Sequence, residues 1–517
     1  MGSIAALIVG GALYALAFPP YDFGVLAWVA LVPLLIVVRG REPGSAFRYG
    51  MVYGAVCAWT VGWWIAQAGA RYFGMSFPVA VLGASLYALV VWGTAFGVSA
   101  AGAALLLRGE SKWVDRVALS ALWVAAEFLR ARLIGQPWAL LGYSQHEHVG
   151  LLQLATITGV YGISFLIVFI NVAVAEALHL LSGRGARVAA MTILLPAAVV
   201  AEVWGVGALM AQRGPDGGFA ARSVAIVQTS VPPAFEWNRL YAEQQLVAHM
   251  RATDTLSGPE APALIVWPES AITQYVETDP MLAVQLSRLA VRHKADLLFG
   301  APRYESGRTY NSVRLFTASG RNGGYYDKLR LVPLAEAGLL TDRPPREPDE
   351  SPRQFTAGTI PGVLKSFLPV GVSICHEILF PDLVARSVRA GAELLVNVSN
   401  DGWLDGGYGT ASRQHFAMAT FRAVETRRYL VRAATTGVSG VVDPFGRVVQ
   451  SLGPGAAGVL NVSVAGRATI TPYVRFGDVF AMGCGGLAAM ALLARRRPQT
   501  WRPRALAPAP SNASATG

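Results

Sequence analysis

The chain has 517 residues, of which 53% are hydrophobic and only 15% charged, and a formal net charge of +11. Soluble domains carry roughly a quarter charged residues, so this composition excludes one large soluble core and points to several membrane spans. The basic residues lie at the ends of apolar segments and in the tail, not along one helix interleaved with aromatics, which argues against a nucleic-acid partner.

A transmembrane helix needs about 20 mostly apolar residues. Seven stretches meet or approach this, at roughly 3–19, 23–38, 50–68, 77–107, 117–134, 154–181 and 188–210. The run 77–107 is long enough for a bent span plus a re-entrant piece. Residues 1–213 therefore read as a membrane domain and 214–474 as a separate domain of soluble-protein composition. Residues 475–496 read as a last transmembrane helix, ending in Arg495, Arg496 and Arg497, and 497–517 as a disordered cytoplasmic tail rich in Pro, Ala and Ser. Loops after the second, fourth and sixth segments hold Arg39, Arg41, Arg48, Arg108, Lys112, Arg116, Arg184 and Arg187; the opposite loops hold Arg71, Arg130 and Arg132. This asymmetry puts both termini in the cytoplasm and 214–474 outside it. The first segment has no Lys or Arg before it and no small-residue cleavage site, so it does not read as a cleavable signal peptide.

In 214–474 short apolar runs alternate with helix-length segments, which predicts an α/β sheet domain. Strands are expected at Ser223–Gln228, Ala263–Trp267, Asp296–Gly300, Ser312–Thr317, Gly371–Cys375, Leu394–Val398 and Leu430–Ala434, and helices at 239–254, 280–294, 382–390 and 411–428. Cys57 and Cys484 lie in apolar stretches, leaving Cys375 as the thiol expected outside the bilayer and no disulfide framework.

Three polar residues end or follow buried strands. Glu269 follows Trp267-Pro268, where proline stops ladder pairing; Lys328 precedes the apolar run Leu329–Pro333; Cys375 closes the run Gly371–Ile374. A carboxylate can take a thiol proton, and an ammonium can stabilise the thiolate and then an oxyanion. Glu269, Lys328 and Cys375 thus suffice for acyl transfer, with the backbone N–H of His376 as a second oxyanion donor. A Cys/His pair is the competing chemistry. His376, as a strand neighbour of Cys375, would face the other way, whereas spacing does not exclude His415.

These motifs, Trp-Pro-Glu-Ser at 267–270, Tyr326-x-Lys328 through Val332-Pro333 with Glu336, and Cys375-x-Glu377, resemble the Glu–Lys–Cys triad of the nitrilase (carbon–nitrogen hydrolase) superfamily. Over roughly 1–494 the chain resembles its apolipoprotein N-acyltransferase family, through Phe18-Pro19-Pro20, Gly135-Gln136-Pro137-Trp138, Leu141-Gly142-Tyr143-Ser144-Gln145, Thr158–Gly162, Val227-Gln228, Tyr310-Asn311-Ser312, Ser399-Asn400-Asp401 with Trp403, and Gln414-His415. The resemblance implies a multi-span membrane domain with an α-β-β-α sandwich outside the bacterial cytoplasmic (inner) membrane. Glu269 would be general base, Cys375 nucleophile, and Lys328 stabiliser of thiolate and oxyanion; Glu336, Glu377, Asn311 and Trp237 match residues in or near the family's active site. It further implies a ping-pong transfer of an acyl chain from a phospholipid, phosphatidylethanolamine in expectation, through a Cys375 thioester to the α-amine of an S-diacylglyceryl-cysteine lipoprotein, by a monomer without metal or cofactor. Ala335 stands where the family usually has glycine, and His376 where it usually has tyrosine. A membrane-tethered amidase or nitrilase-type hydrolase is the alternative. A transporter with an inactive domain is disfavoured, since Glu127 and Glu202 are rare acidic exceptions in the spans.

Overall fold

The apolar segments fold as helices whose breaks fall where the backbone demands them. A computed structural model describes residues 2–72, 74–108, 112–181, 185–212, 220–234, 238–256, 261–333, 335–337, 354–360, 362–405 and 409–496; Trp237, Arg184, Arg497 and the tail 497–517 lie outside these. Among the described residues three helices, Phe77–Leu106, Val160–Leu181 and Ala186–Gln212, are long and apolar enough to cross a membrane. The first is continuous, with one wider turn at Ala88–Gly93, so the run 77–107 contains no re-entrant piece. The segment expected at 154–181 is interrupted at Gly159, where φ is +62°, before the long helix begins. The segment at 23–38 is a series of short helical turns, and that at 50–68 is Pro43–Gly62 followed by Trp64–Tyr72. Proline opens Pro43–Gly62 at a position where its missing N–H costs nothing. Gly50 and Gly54 on this helix lie against Phe96 and Trp92 so closely that an added Cβ would come within 2.6–2.9 Å of their carbonyl oxygens, the small-residue packing that brings membrane helices together.

The domain from Arg222 onward holds two six-stranded sheets. Its strands are β1 (Arg222–Gln228), β2 (Leu264–Val266), β3 (Asp296–Glu305), β4 (Arg308–Phe316), β5 (Asn322–Asp327), β6 (Val363–Lys365), β7 (Pro369–Ile374), β8 (Leu394–Ser399), β9 (Leu430–Ala434), β10 (Ser439–Val442), β11 (Val448–Leu452) and β12 (Gly458–Val464). The first sheet runs β12-β1-β2-β3-β4-β5 and the second β11-β10-β9-β8-β7-β6, each with three central parallel strands. Val224, Ile226, Val266 and Leu298 of one sheet meet Val372, Ile374, Val396 and Val398 of the other in a single apolar layer. Helices Arg239–Asp254 and Pro280–His293 cover the outer face of the first sheet, and Pro381–Arg389 and Thr410–Thr426 that of the second. This is the expected α-β-β-α sandwich. The expected helices all form, within two residues at each end. The strand expected to include Cys375 stops at Ile374, and β5, β6, β10, β11 and β12 were not expected.

The outer helices of the second sheet share one core with the membrane helices, in which Leu379, Val384 and Met418 pack with residues such as Tyr143, Leu152 and Val160. Polar contacts fix this junction. Arg132 pairs with both Asp382 and Asp478. Gln414 donates from Nε2 to the carbonyls of Pro19 (2.9 Å) and Val61 (3.0 Å) and accepts from Trp138 (2.8 Å) and Trp64 (3.3 Å). Glu127 and Arg130, buried in the helix Trp113–Arg132, brace the loop carrying Trp138: Glu127 accepts from the Leu141 N–H, and Arg130 donates to the Trp138 carbonyl.

Candidate active site

The parallel strands of each sheet end on the same side, and the polar groups of interest gather there. Beyond β2, Pro268 ends pairing and Glu269 turns inward. Gly300 on β3 permits this, because a Cβ there would lie 2.6 Å from the Glu269 Cα. The carboxylate is held on both oxygens: Asn311 Nδ2 (2.8 Å) and Lys328 Nζ (3.4 Å) donate to Oε1, and the Asn400 N–H (2.7 Å) donates to Oε2. Asn311 sits on β4 and also donates to Glu336 (2.8 Å). Lys328 follows β5, is only 1% exposed, and lies 2.8 Å from Glu336 Oε1. Glu336 is itself fixed by the Val332 N–H at 2.7 Å. Burial alone would pull the Lys328 pKa down; Glu336 and then Glu269 outweigh it, so the ammonium is held well above its usual range and stays charged.

Cys375 begins a 3₁₀ turn, Cys375–Leu379, with φ at +52°. A non-glycine residue in this region is strained, and such strain concentrates where a side chain must be presented. Asn397 steadies the turn by donating to the Cys375 carbonyl at 3.2 Å. Glu377, two residues on, ties the Cys375 turn to the segment carrying Lys328: it accepts from the Ile374 N–H (2.8 Å), the Leu329 N–H (2.7 Å), the Arg330 N–H (3.0 Å) and the Tyr326 hydroxyl (2.9 Å). Burial pushes its carboxyl up to about 6 despite these donors.

The half-buried Cys375 thiol is pushed up to about 12, first by burial and next by the negative charge of Glu269, with Lys328 opposing. At neutral pH it is therefore a thiol, and any reaction of its sulfur as a nucleophile requires that the proton be removed. The strongest charges acting on it are those of Glu269 and Lys328. His415 is engaged elsewhere, its Nδ1 lying 3.0 Å from both Asp401 Oδ1 and Arg432 Nη2 in a fully buried cluster. His376 is on a turn, so strand alternation does not describe it; its ring lies edge-on to Phe380, and burial, then Lys328, hold it neutral.

The structure thus brings together Glu269, Lys328, Cys375, Glu336, Glu377 and Asn311. Sequence reasoning missed the Asn400 N–H that orients Glu269 and the buried Asp401–Arg432 pair. The only signal was the polar run Ser399-Asn400-Asp401 directly after a buried strand. Among the described residues one group has metal-ligand spacing, Asp22, His146 and Glu147 in membrane-domain loops, and none of the site residues above belongs to it. His146 Nε2 and Asp22 Oδ1 already bond each other at 3.0 Å.

A two-sheet sandwich with these groups at its strand ends, packed on apolar helices, defines a membrane-associated enzyme of the carbon–nitrogen hydrolase class. Residues 223–473 match the carbon–nitrogen hydrolase family, and residues 10–173 match the apolipoprotein N-acyltransferase N-terminal domain. The chain is 34% identical over 511 residues to an apolipoprotein N-acyltransferase of Geobacter metallireducens, covering 95% of each chain. It is 31% identical to proteins of that name from Bradyrhizobium diazoefficiens (95% of this chain, 94% of the relative) and Methylococcus capsulatus (96% and 97%). The chain belongs to the apolipoprotein N-acyltransferase family, and it is a membrane-associated acyltransferase.

Proposed function

We propose that the chain acylates the N-terminal amine of diacylated lipoproteins, with Cys375 as nucleophile, Glu269 as base, Lys328 as stabiliser of thiolate and oxyanion, and Glu336, Glu377 and Asn311 holding these three in place. In the first half-reaction Glu269 takes the thiol proton as sulfur attacks the ester carbon of a phospholipid. The oxyanion forms against Lys328. The C–O bond then breaks, and the leaving glycerol oxygen takes the proton from Glu269, releasing lysophospholipid. In the second, the α-amine of an S-diacylglyceryl-cysteine attacks the thioester and gives its proton to Glu269. The C–S bond breaks, the thiolate is reprotonated, and an amide leaves. The steps balance without redox chemistry. The observation that carries this reading is the single ammonium of Lys328 between Glu269 and Glu336, with Glu269 also anchored by the Asn400 N–H.

The finer assignments are phosphatidylethanolamine as donor, a monomeric enzyme, and the bacterial inner membrane. Residues 1–213 would supply seven spans and 475–496 the eighth, with 214–474 as the extracytoplasmic catalytic domain. The arginine asymmetry of the loops supports this orientation. Acyl chains favour the bilayer by about 0.8 kcal/mol per CH₂, which supports a site opening sideways to lipid. Single Ala changes at Glu269, Lys328 and Cys375 test the machinery: each should abolish most transfer, and double changes should cost little more, as for residues acting as a unit. Near-normal transfer by Cys375→Ala would end the covalent reading. Alkaline phosphatase fused after residue 220 should be active and after residue 110 inactive; the reverse would overturn the orientation.

A further inference from the structure

At the end of the second sheet opposite Cys375, cationic side chains crowd one aromatic ring. The guanidinium carbons of Arg427, Arg447 and Arg467 lie 4.6, 5.6 and 6.0 Å from the centre of the Phe445 ring. Arg428 is next in sequence and buried. The carboxylates acting on Arg427 and Arg428 are Asp443 and Glu393, so positive charge is in surplus. Arg427 donates to Gln153 and to the Pro444 carbonyl, Arg428 to the carbonyls of Ala392, Thr426 and Thr469, and Arg447 to Asp443 and the Ala211 carbonyl. Arg467 differs: its Nε and Nη1 are buried and have no hydrogen-bond partner among the described residues. Burial first, and the Arg467 charge second, push Arg427 and Arg428 down to about 10, the signature of a cluster short of an anion.

The position of the cluster indicates what the anion is. Ala211 lies one residue before the end of Ala186–Gln212, a helix long and apolar enough to cross a membrane, so Arg447 is held at one end of that helix. Gly446, at φ +90°, packs its turn on Leu152 of the membrane domain. Val448 and Val449, directly after Arg447, are exposed. Guanidinium groups suit phosphate oxygens geometrically, and basic recesses beside membrane helices hold lipid headgroups. We propose that Arg467, Arg447 and Arg427 around Phe445 form a binding site for the phosphate of an anionic phospholipid headgroup, separate from the acyl-transfer site. The five residues of β9, at about 3.3 Å each, separate the two sites: Thr435, just past its far end, contacts the Glu269 carbonyl.

The test uses the full-length protein in detergent, carrying Cys375→Ala to prevent turnover, titrated with phosphatidylglycerol and read by native mass spectrometry. A bound lipid should persist, and Arg467→Gln should weaken that binding at least tenfold, with Arg467→Lys intermediate. Arg447→Gln, at a side chain 42% exposed, should weaken it too and guards against a folding defect at Arg467. Melting curves establish that each variant is folded. Millimolar inorganic phosphate should not displace the lipid. Unchanged lipid affinity in folded Arg467→Gln and Arg447→Gln, or displacement by phosphate, would overturn the proposal.

Discussion

The two ends of the second sheet solve opposite electrostatic problems. At the Cys375 end three carboxylates, the buried Glu269 and Glu377 and the partly buried Glu336, face one ammonium, and backbone N–H groups of Asn400, Val332, Ile374, Leu329 and Arg330 carry the surplus negative charge. At the Phe445 end guanidinium groups outnumber carboxylates, and two donors of Arg467 have no partner among the described residues. Burying a charge is tolerable where fixed dipoles answer it. The Cys375 end is closed on itself, so its charges act on the thiol, whereas the basic end has donors left over. Helix Thr410–Thr426 joins the two: Gln414 near its start holds the membrane segments beside the site, and Arg427 follows its last turn.

The largest effect should come from Glu269→Gln. Loss of the base should slow transfer on the order of 10³-fold. Because the Glu269 charge raises the Cys375 pKa, its removal lets the thiol pKa fall, with Lys328 still beside it. Alkylation of Cys375 by iodoacetamide near pH 8–9 should therefore speed up while transfer is lost. Slower alkylation would show that the charge balance at this end is misread.

Glu377→Gln should cost about 10- to 100-fold, because an amide N–H₂ would confront the Ile374 N–H or the Leu329 and Arg330 N–H groups and loosen the link between turn and strand. In the native chain this carboxyl, held near 6 by burial, gains its proton as pH falls and then can no longer accept from every donor. Thioester formation should thus weaken as pH drops through about 6, and the contribution of this group to that limb should vanish in Glu377→Gln. The folding linkage has the opposite sign. A pKa raised from 4.5 means that the folded chain binds this proton more tightly, so stability from this group is present below 4.5 and is lost as pH rises through 6.

Gln414→Leu tests the joint rather than either end. It strips partners from two indole N–H groups and two carbonyls, and about 2–4 kcal/mol of stability should go, read as a lowered Tm. The smallest effect should be His376→Tyr. The imidazole is neutral and packs on Phe380, so transfer should change by no more than about threefold; a large loss would give this side chain a role in the chemistry.

What the sequence disclosed and what it concealed follow from the same physics. Central strands were legible because burial on both faces writes them as apolar runs, as in Leu264–Val266 and Leu394–Val398. β11 is exposed except at Leu452, and β5 is Asn-Gly-Gly-Tyr-Tyr-Asp, so neither leaves a buried apolar run. Apolar segments showed their extent but not their breaks, since one positive φ at Gly159 has no hydropathy signature. Glu269 and Cys375 were readable as polar residues closing apolar strands, and Lys328 only through the apolar run Leu329–Pro333 that follows it. The orienting N–H of Asn400 was not, because any residue but proline carries that donor and only the fold aims it.

Acyl transfer through Cys375 is tested most directly by the intact mass of the purified full-length protein after incubation with phosphatidylethanolamine alone. A site that opens to lipid rather than water should protect a thioester from hydrolysis. The mass should rise by one acyl chain, peptide mapping should place that chain on Cys375, and a diacylglyceryl-cysteine peptide should discharge it and emerge with the chain as an N-terminal amide. An unmodified Cys375 with rapid release of free fatty acid, and no acylated peptide when the acceptor is supplied, would contradict the account and identify a hydrolase.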